Sequence, residues 1–343
     1  MLLLHEMSRG HLQAASNFLT IACRTVFALG GHTVSVPLAK GLDCVLTLRE
    51  RESRYVRMLF WYCYTLDKTI SLHMGQPAVI SDDLCDLRLS ESTQQRYFES
   101  YPRQAIELQA DSRDTLETFL YRRLSIIKSK AIQKLYSPVS LQMSSAKLLH
   151  SIRKLDEELE GWRSSIPAEL LLVSSVQWPN QNYQDLHQLG SMRQIELQLD
   201  YYYVLAIVHC AIGRCMADIN PAEPEGVFDG RLSSIELAMA ASRSTLRYLL
   251  ATKNLLADRS FWLVILYPMS ASMTLFFNVL RQPFHENATH DIGLLDKTSD
   301  FISDLGLRMP AGFDAQHLRN MSALIAELSS LSKCAISRPQ TKR

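Results

Sequence analysis

Between residues 146 and 163 apolar side chains return at alternating steps of four and three: Leu148, Ile152, Leu155, Leu159 and Trp162. Lys154, Asp156, Glu157, Glu158 and Glu160 fill the remaining faces. The 3.6-residue period of this stripe predicts an amphipathic helix lying on a core. Ser144 and Ser145 stand where a cap is needed, and Pro167 blocks continuation. The same pattern predicts helices over residues 12–29, 52–75, 114–136, 192–216, 232–256, 260–281, 291–306 and 314–334, each bounded by Gly, Pro or a polar cluster. Runs of alternating polarity joined by Asn-Gly or Asp-Gly turns are missing, as is any self-similarity with a period of ~20–50 residues. The expected fold is therefore all-α: a single multi-helix domain over residues 1–335, followed by a basic disordered tail over 336–343.

Two predicted helices stand apart in their polarity. Residues 52 to 75 carry Val56, Met58, Leu59, Phe60, Trp61, Tyr64, Leu66, Ile70 and Leu72 on nearly every face, which describes a central helix surrounded by others. Arg57, Asp67 and Lys68 lie within it, and charges on such a helix are expected to be paired. From Ser260 to Leu280 the chain has no charge, between Arg259 and Arg281, and about 20 apolar residues suffice to cross a bilayer. Pro268, Ser270, Ser272, Thr274 and Asn278 interrupt that stretch, and the other apolar run, Tyr201 to Gly213, is shorter still. The expected state of residues 260–281 is a buried central helix.

Composition narrows the function classes. The 343 residues are 47% hydrophobic, enough to bury a core, and 36 basic against 35 acidic residues leave a net charge of +1. No global field draws such a chain to nucleic acid or to an anionic membrane. Seven cysteines without tight spacing do not describe a disulfide framework, and the first residues lack a basic stretch followed by an apolar core and a cleavage site. The expected setting is a reducing, intracellular one.

Few motifs carry chemistry. Asp82-Asp83-Leu84-Cys85-Asp86 has the D-D-x-x-D spelling with which all-α prenyl diphosphate enzymes hold magnesium, and it defines one alternative function through Asp82, Asp83 and Asp86. The second metal motif of such enzymes is poorly matched: Asn278, Gln282 and Glu286 have the wrong middle residue and are broken by Pro283, while Asp296, Asp300 and Asp304 read as a solvated stripe. Ser81 before Asp82 and the turn Gly75-Gln76-Pro77 suggest a loop and a helix cap. His285 and His290 are five residues apart, not the four a helical zinc site needs, and read as a loop. No nucleophile elbow, phosphate loop or dinucleotide fingerprint occurs. Arg122, Arg123, Lys128, Lys130 and Lys134 interleave with Leu124, Ile127 and Leu135 and read as a solvated helix face.

Residues 49 to 90 resemble the signature block of the fungal-specific transcription factor domain, the regulatory region of binuclear zinc cluster regulators. Arg57, Leu59, Phe60, Trp61, Tyr64, Leu66, Asp67, Lys68, Ser71, Gly75, Gln76, Pro77, Ile80, Ser81, Asp82 and Asp86 occupy the places of that block, with Lys68 and Gln76 where the family usually has arginine. Upstream, Ala22, Arg24, Ala28, Leu29, Gly30 and His32 are similar to the family's Leu-Gly-Leu-His helix end, with Gly31 at the second Leu. Downstream, residues 155–170, Asp200-Tyr201-Tyr202-Tyr203, Ala240, Ala241, Arg243, Phe276, Phe277 and Pro283 continue the resemblance in order. It implies an all-α regulatory module acting in transcription, in the nucleus, without catalytic, cofactor-binding or metal-binding residues of its own. The family's zinc cluster needs six cysteines in two C-x2-C-x6-C units, and this sequence has no C-x2-C, its nearest pair being Cys210 and Cys215. DNA is then reached only through a zinc cluster segment outside this sequence or on a partner, and the expected partners are transcription machinery, regulatory proteins or a small-molecule effector. The further alternative is a cytosolic ligand-binding or interaction remnant.

Overall fold

The structure is a computed structural model, described here for residue 6 and residues 11–33, 47–89, 110–166, 192–215, 225–253, 255–256, 266–308 and 313–337. These residues form helices α1 (Leu12–Ala28), α2 (Leu48–Met74), α3 (Ala110–Leu135), α4 (Ser145–Ser164), α5 (Met192–Cys210), α6 (Glu225–Ala251), α7 (Leu266–Arg281), α8 (Ala288–Arg308) and α9 (Phe313–Ser337). Short 3-10 turns cover Asp82–Leu84, Ser140–Gln142 and Ala211–Cys215, and no strand occurs among the described residues. The fold is all-α, as the periodicity predicts. The last helix runs to Ser337, two residues into the span expected to be a tail, and residues 338–343 lie outside the described residues, as do Pro167, Arg259 and residues 260–265. The chain divides into two compact units, with the boundary between Ser129 and Lys130, inside α3.

In the first unit α1 presents Ala15, Leu19, Cys23 and Val26, at helical spacing, to the core. Phe60, Trp61, Cys63, Tyr64 and Ile70 of α2 meet this face, and Ile80 from the following loop completes the cluster. The start of α2 is fixed by a capping box: Thr47 Oγ1 accepts from the Glu50 amide at 3.3 Å, and Glu50 Oε2 accepts from the Thr47 amide at 2.9 Å. The expectation that α2 is surrounded on every side needs correction, because Tyr55, Met58 and Tyr62 share an exposed face.

In the second unit the predicted stripe of α4, from Leu148 to Trp162, is buried throughout, and Trp162 stacks on Tyr201 with ring centres 6.1 Å apart. Ser144 occupies the N-cap position of α4 but makes no side-chain cap. Helix α5 is buried around most of its circumference, polar Gln194, Gln198 and Asp200 included; Met192–Arg214 is long and apolar enough to span a membrane, yet 83% of its most apolar window is buried, as in a core helix. The family-like Tyr201, Tyr202 and Tyr203 lie within this core, Tyr202 edge-on to Tyr248 and Tyr203 edge-on to Tyr267. Helices α8 and α9 pack along each other through a reciprocal clasp, in which Ser299 and Ser322 each donate a side-chain hydroxyl to the other's carbonyl at 3.0 Å. Helix α7 packs on α5, α6, α8 and α9 through Tyr267, Leu275, Phe276 and Val279. Its opposite face is bare: Met273, Phe277 and Leu280 are 37%, 59% and 43% exposed. The described part of the uncharged stretch, from Leu266, is therefore half buried rather than a central helix.

Candidate functional site

The residues that carry the sequence signature meet in the first unit, where the loop 75–89 is fastened onto α2. Gly75 ends the helix at φ +63°, a left-handed conformation that side-chain-bearing residues seldom adopt, and the Gln76 amide donates back to the Ser71 carbonyl at 3.1 Å. The loop then turns so that the amides of Val79 and Ile80 donate to the two carboxylate oxygens of Asp67 at 2.8 and 3.1 Å. Lys68 donates to the carbonyl of Ile80 and lies 3.2 Å from Asp67 and 3.5 Å from Asp82. Its ammonium sits 4.8 Å from the centre of the Tyr64 ring, and the Tyr64 hydroxyl donates to Asp82 Oδ1 at 3.1 Å. Burial first, and Asp82 second, hold the Tyr64 phenol far above its ordinary range. Asp67 and Lys68 are each 1% exposed, and each is met by the other's charge and by hydrogen bonds that offset its burial.

Arg57, almost three turns earlier on α2, makes a second fastening. It donates to the Gly31 carbonyl at 3.0 Å and to the Asp86 carbonyl, while the Asp86 amide donates to the His32 carbonyl at 2.8 Å. Its guanidinium lies 4.7 and 5.2 Å from the ring centres of Phe60 and Trp61. Gly31 explains a departure from the family pattern: a Cβ there would lie 2.7 Å from Val26 Cγ1 and 3.0 Å from the Val56 carbonyl, so no leucine fits.

The D-D-x-x-D spelling does not make a metal face. Asp82 is engaged by Tyr64 and Lys68, Asp83 points into solvent from the 3-10 turn, and Asp86 binds its neighbour Arg88 at 2.5 Å. That contact with Arg88 holds the Asp86 carboxyl down to about 2. The prenyl diphosphate alternative is withdrawn on this geometry. Ser81 precedes the turn without capping it through its side chain.

The basic run of α3 is also not a solvated face. Lys128 is 1% exposed and donates to Thr69 Oγ1 at 2.9 Å, Arg122 lies 5.5 Å from the Trp61 ring, and Lys130 pairs with Glu158 at 2.5 Å. Burial, and Arg57 nearby, hold Arg122 down to about 10. Sequence reasoning missed these roles because Thr69 and Lys128 lie 59 residues apart.

In the second unit Arg243 and Asp291 form a two-pronged ion pair at 2.6 and 2.9 Å, with Asp291 1% exposed. His285 lies in the turn before α8 and accepts from the Asn287 amide, while His290 is in the first turn of α8 and contacts Arg247, so the two do not converge. Asp296 accepts from Ser329 and Lys333 of α9 and is not simply solvated. Asp300 and Asp304 line a surface cavity of about 400 Å³ with Lys253, Lys297 and Arg308, over a floor of Leu250, Phe301 and Leu305. Among the described residues no three His, Cys, Asp or Glu side chains gather as metal ligands.

The motif residues thus fasten a loop to a helix in the first unit. Comparison with known proteins points to a class: residues 1–164 match the fungal specific transcription factor domain. The chain is 26% identical over 296 residues to an ABC-transporter-regulating transcription factor of Aspergillus fumigatus, covering 83% of this chain and 31% of that protein. It is 27% identical over 261 residues to a protein of the same description from Aspergillus oryzae, covering 73% and 27%. A transcriptional regulatory protein of Schizosaccharomyces pombe is 24% identical over 262 residues, 73% of this chain and 37% of its own length. The chain thus spans between 27% and 37% of these relatives. No solved structure matches it.

Proposed function

We propose that this chain is the regulatory region of a fungal zinc cluster type transcription regulator, working in the nucleus and not as an enzyme. The observation that carries the reading is that the family match falls on residues 1–164 and that its signature residues, Arg57, Asp67 and Lys68, are used up in holding the loop 75–89. DNA is reached through a zinc cluster on a longer form of the protein or on a partner, since this sequence has no C-x2-C. The target class suggested by the Aspergillus relatives is the genes of ABC transporters. The proposed inputs include a small-molecule effector.

The test is a reporter strain in which the chain is fused to a foreign DNA-binding domain. Expected is a change in reporter transcription relative to the DNA-binding domain alone, together with nuclear retention of a fluorescent fusion. A fusion that stays in the cytosol and leaves the reporter unchanged would favour the interaction remnant instead.

A further inference from the structure

Five free cysteines lie among the described residues, and two of them meet in the first unit. Cys23 takes its place in the buried stripe of α1 that also holds Ala15, Leu19 and Val26, and Cys63 lies beside Tyr64 on α2 in the same core cluster. The two helices pack on each other, and the two thiols are joined by a hydrogen bond. A lone buried cysteine serves as a small apolar side chain. Two thiols in contact, one from each of two packed helices, are a different arrangement, because a two-electron oxidation turns the contact into a covalent bond.

The surroundings divide the roles. Cys63 is 8% exposed and Cys23 0%, so a small oxidant reaches Cys63 first. In their bond Cys23 donates and Cys63 accepts. That bond first, and burial second, push the Cys23 thiol far above the ordinary range, whereas the same bond eases Cys63 below it against the opposing effects of burial and of Asp67 one turn on. Thiolate character, which nucleophilic attack requires, therefore falls to Cys63.

We propose that Cys23 and Cys63 are a redox pair, oxidised by hydrogen peroxide to an intramolecular disulfide that clips α1 to α2. In the first step the Cys63 thiolate attacks one peroxide oxygen: an S–O bond forms, the O–O bond breaks, and the departing hydroxide takes up the proton the thiol had released and becomes water, leaving Cys63 a sulfenic acid. Cys23 then attacks the Cys63 sulfur: the S–S bond forms, the S–O bond breaks, and hydroxide leaves with the Cys23 proton as a second water. The two thiols have together lost two electrons, and the peroxide has been reduced to water. Exchange with a reduced dithiol returns both thiols, which suits a reducing setting in which disulfides are transient. The clip joins the same two helices that Arg57 fastens through the Gly31 carbonyl just past α1, so oxidation tightens the unit that carries the signature residues.

To test this, the native full chain is treated with hydrogen peroxide, its remaining thiols are capped with iodoacetamide in denaturant, and its tryptic peptides are weighed. Expected is a peptide pair joined through Cys23 and Cys63, two hydrogen atoms lighter than its parts and separated by dithiothreitol, in a chain whose helical dichroism is unchanged and whose urea midpoint is raised. In Cys23→Ser the joined pair is lost and dimedone, which adds to sulfenic acids, is expected on Cys63; in Cys63→Ser, Cys23 should be capped as a free thiol. Because the joined pair is read in the wild type, the test decides even where a serine variant fails to fold. Capping of both Cys23 and Cys63 as free thiols while the exposed Cys334 is oxidised overturns the proposal, as does a pair joined through Cys85 instead, or one that forms only in denaturant.

Discussion

Asp67 shows why a motif residue can be indispensable without touching a ligand. Its carboxylate, 1% exposed, accepts from two loop amides and lies beside Lys68, so its removal strands two amides and an ammonium away from water. Asp67→Ala is expected to cost about 3–5 kcal/mol, the range for breaking one side of a buried pair, read by denaturant unfolding of Trp61 fluorescence. Replacing both residues together, Asp67→Leu with Lys68→Met, should cost less than Asp67→Ala alone; a larger loss from the pair would show that the hydrogen bonds to the loop outweigh the charges. His73, in the last turn of α2, supplies a pH prediction. His73 is half-buried, and burial first and Lys128 second push its imidazole down to about 3. The unfolded chain takes up this proton below about pH 6.5 and the folded chain does not until about 3, so stability is full above 6.5 and is lost as pH falls toward 3. Denaturant midpoints measured at neutral and mildly acidic pH should therefore fall less steeply in His73→Leu than in the wild type; parallel slopes would assign the acid sensitivity to other groups.

At the scale of elements, the 3.6-residue pattern located all nine described helices, because each buries one face against a neighbour and burial leaves its period in the sequence. The stripe of α4 is the clearest case, and Trp162, 0% exposed and stacked on Tyr201, closes it. Trp162→Ala is expected to cost roughly 3–5 kcal/mol; an unchanged thermal midpoint would contradict its role as an anchor. What periodicity missed has physical reasons. The first turn of α2, Leu48 to Arg51, is mostly charged and set by the Thr47–Glu50 capping box, which no apolar repeat announces. Lys128 and Arg122 look like a solvated face because lysine and arginine can bury long stems, and only the fold places Thr69 and Trp61 beneath them. The bare face of α7 carries the same apolar signal as a buried one, because hydrophobicity states what a surface prefers, not whether it is covered.

For the whole molecule, the sequence carried the resemblance that the match over residues 1–164 bears out, but not the division into two units, whose boundary falls inside the unbroken helix α3. Nor could it show how the signature works, since Lys68 and Arg57 act on main-chain carbonyls that every residue type possesses, and Asp67 on amides that all but proline possess. Net charge gives a prediction at this scale. With +1 and its described basic residues partly engaged inside the fold, the chain is expected to bind duplex DNA only in the non-specific range, about 10⁻⁴ to 10⁻⁶ M at physiological salt. Gel-shift titration against random and promoter duplexes checks this; sequence-dependent nanomolar binding by the unfused chain would refute it.

The fastening by Arg57 has a consequence for mutational tolerance. Because its acceptors are the carbonyls of Gly31 and Asp86, the bond to residue 86 survives almost any side chain there, whereas no other residue can replace a donor that reaches both carbonyls and lies over Phe60. A saturation library scored for folded protein should be permissive at 86 and restrictive at 57, although the two residues touch. Half of this contact is thus invisible to substitution, and a lineage can drift freely at one end of it while remaining frozen at the other.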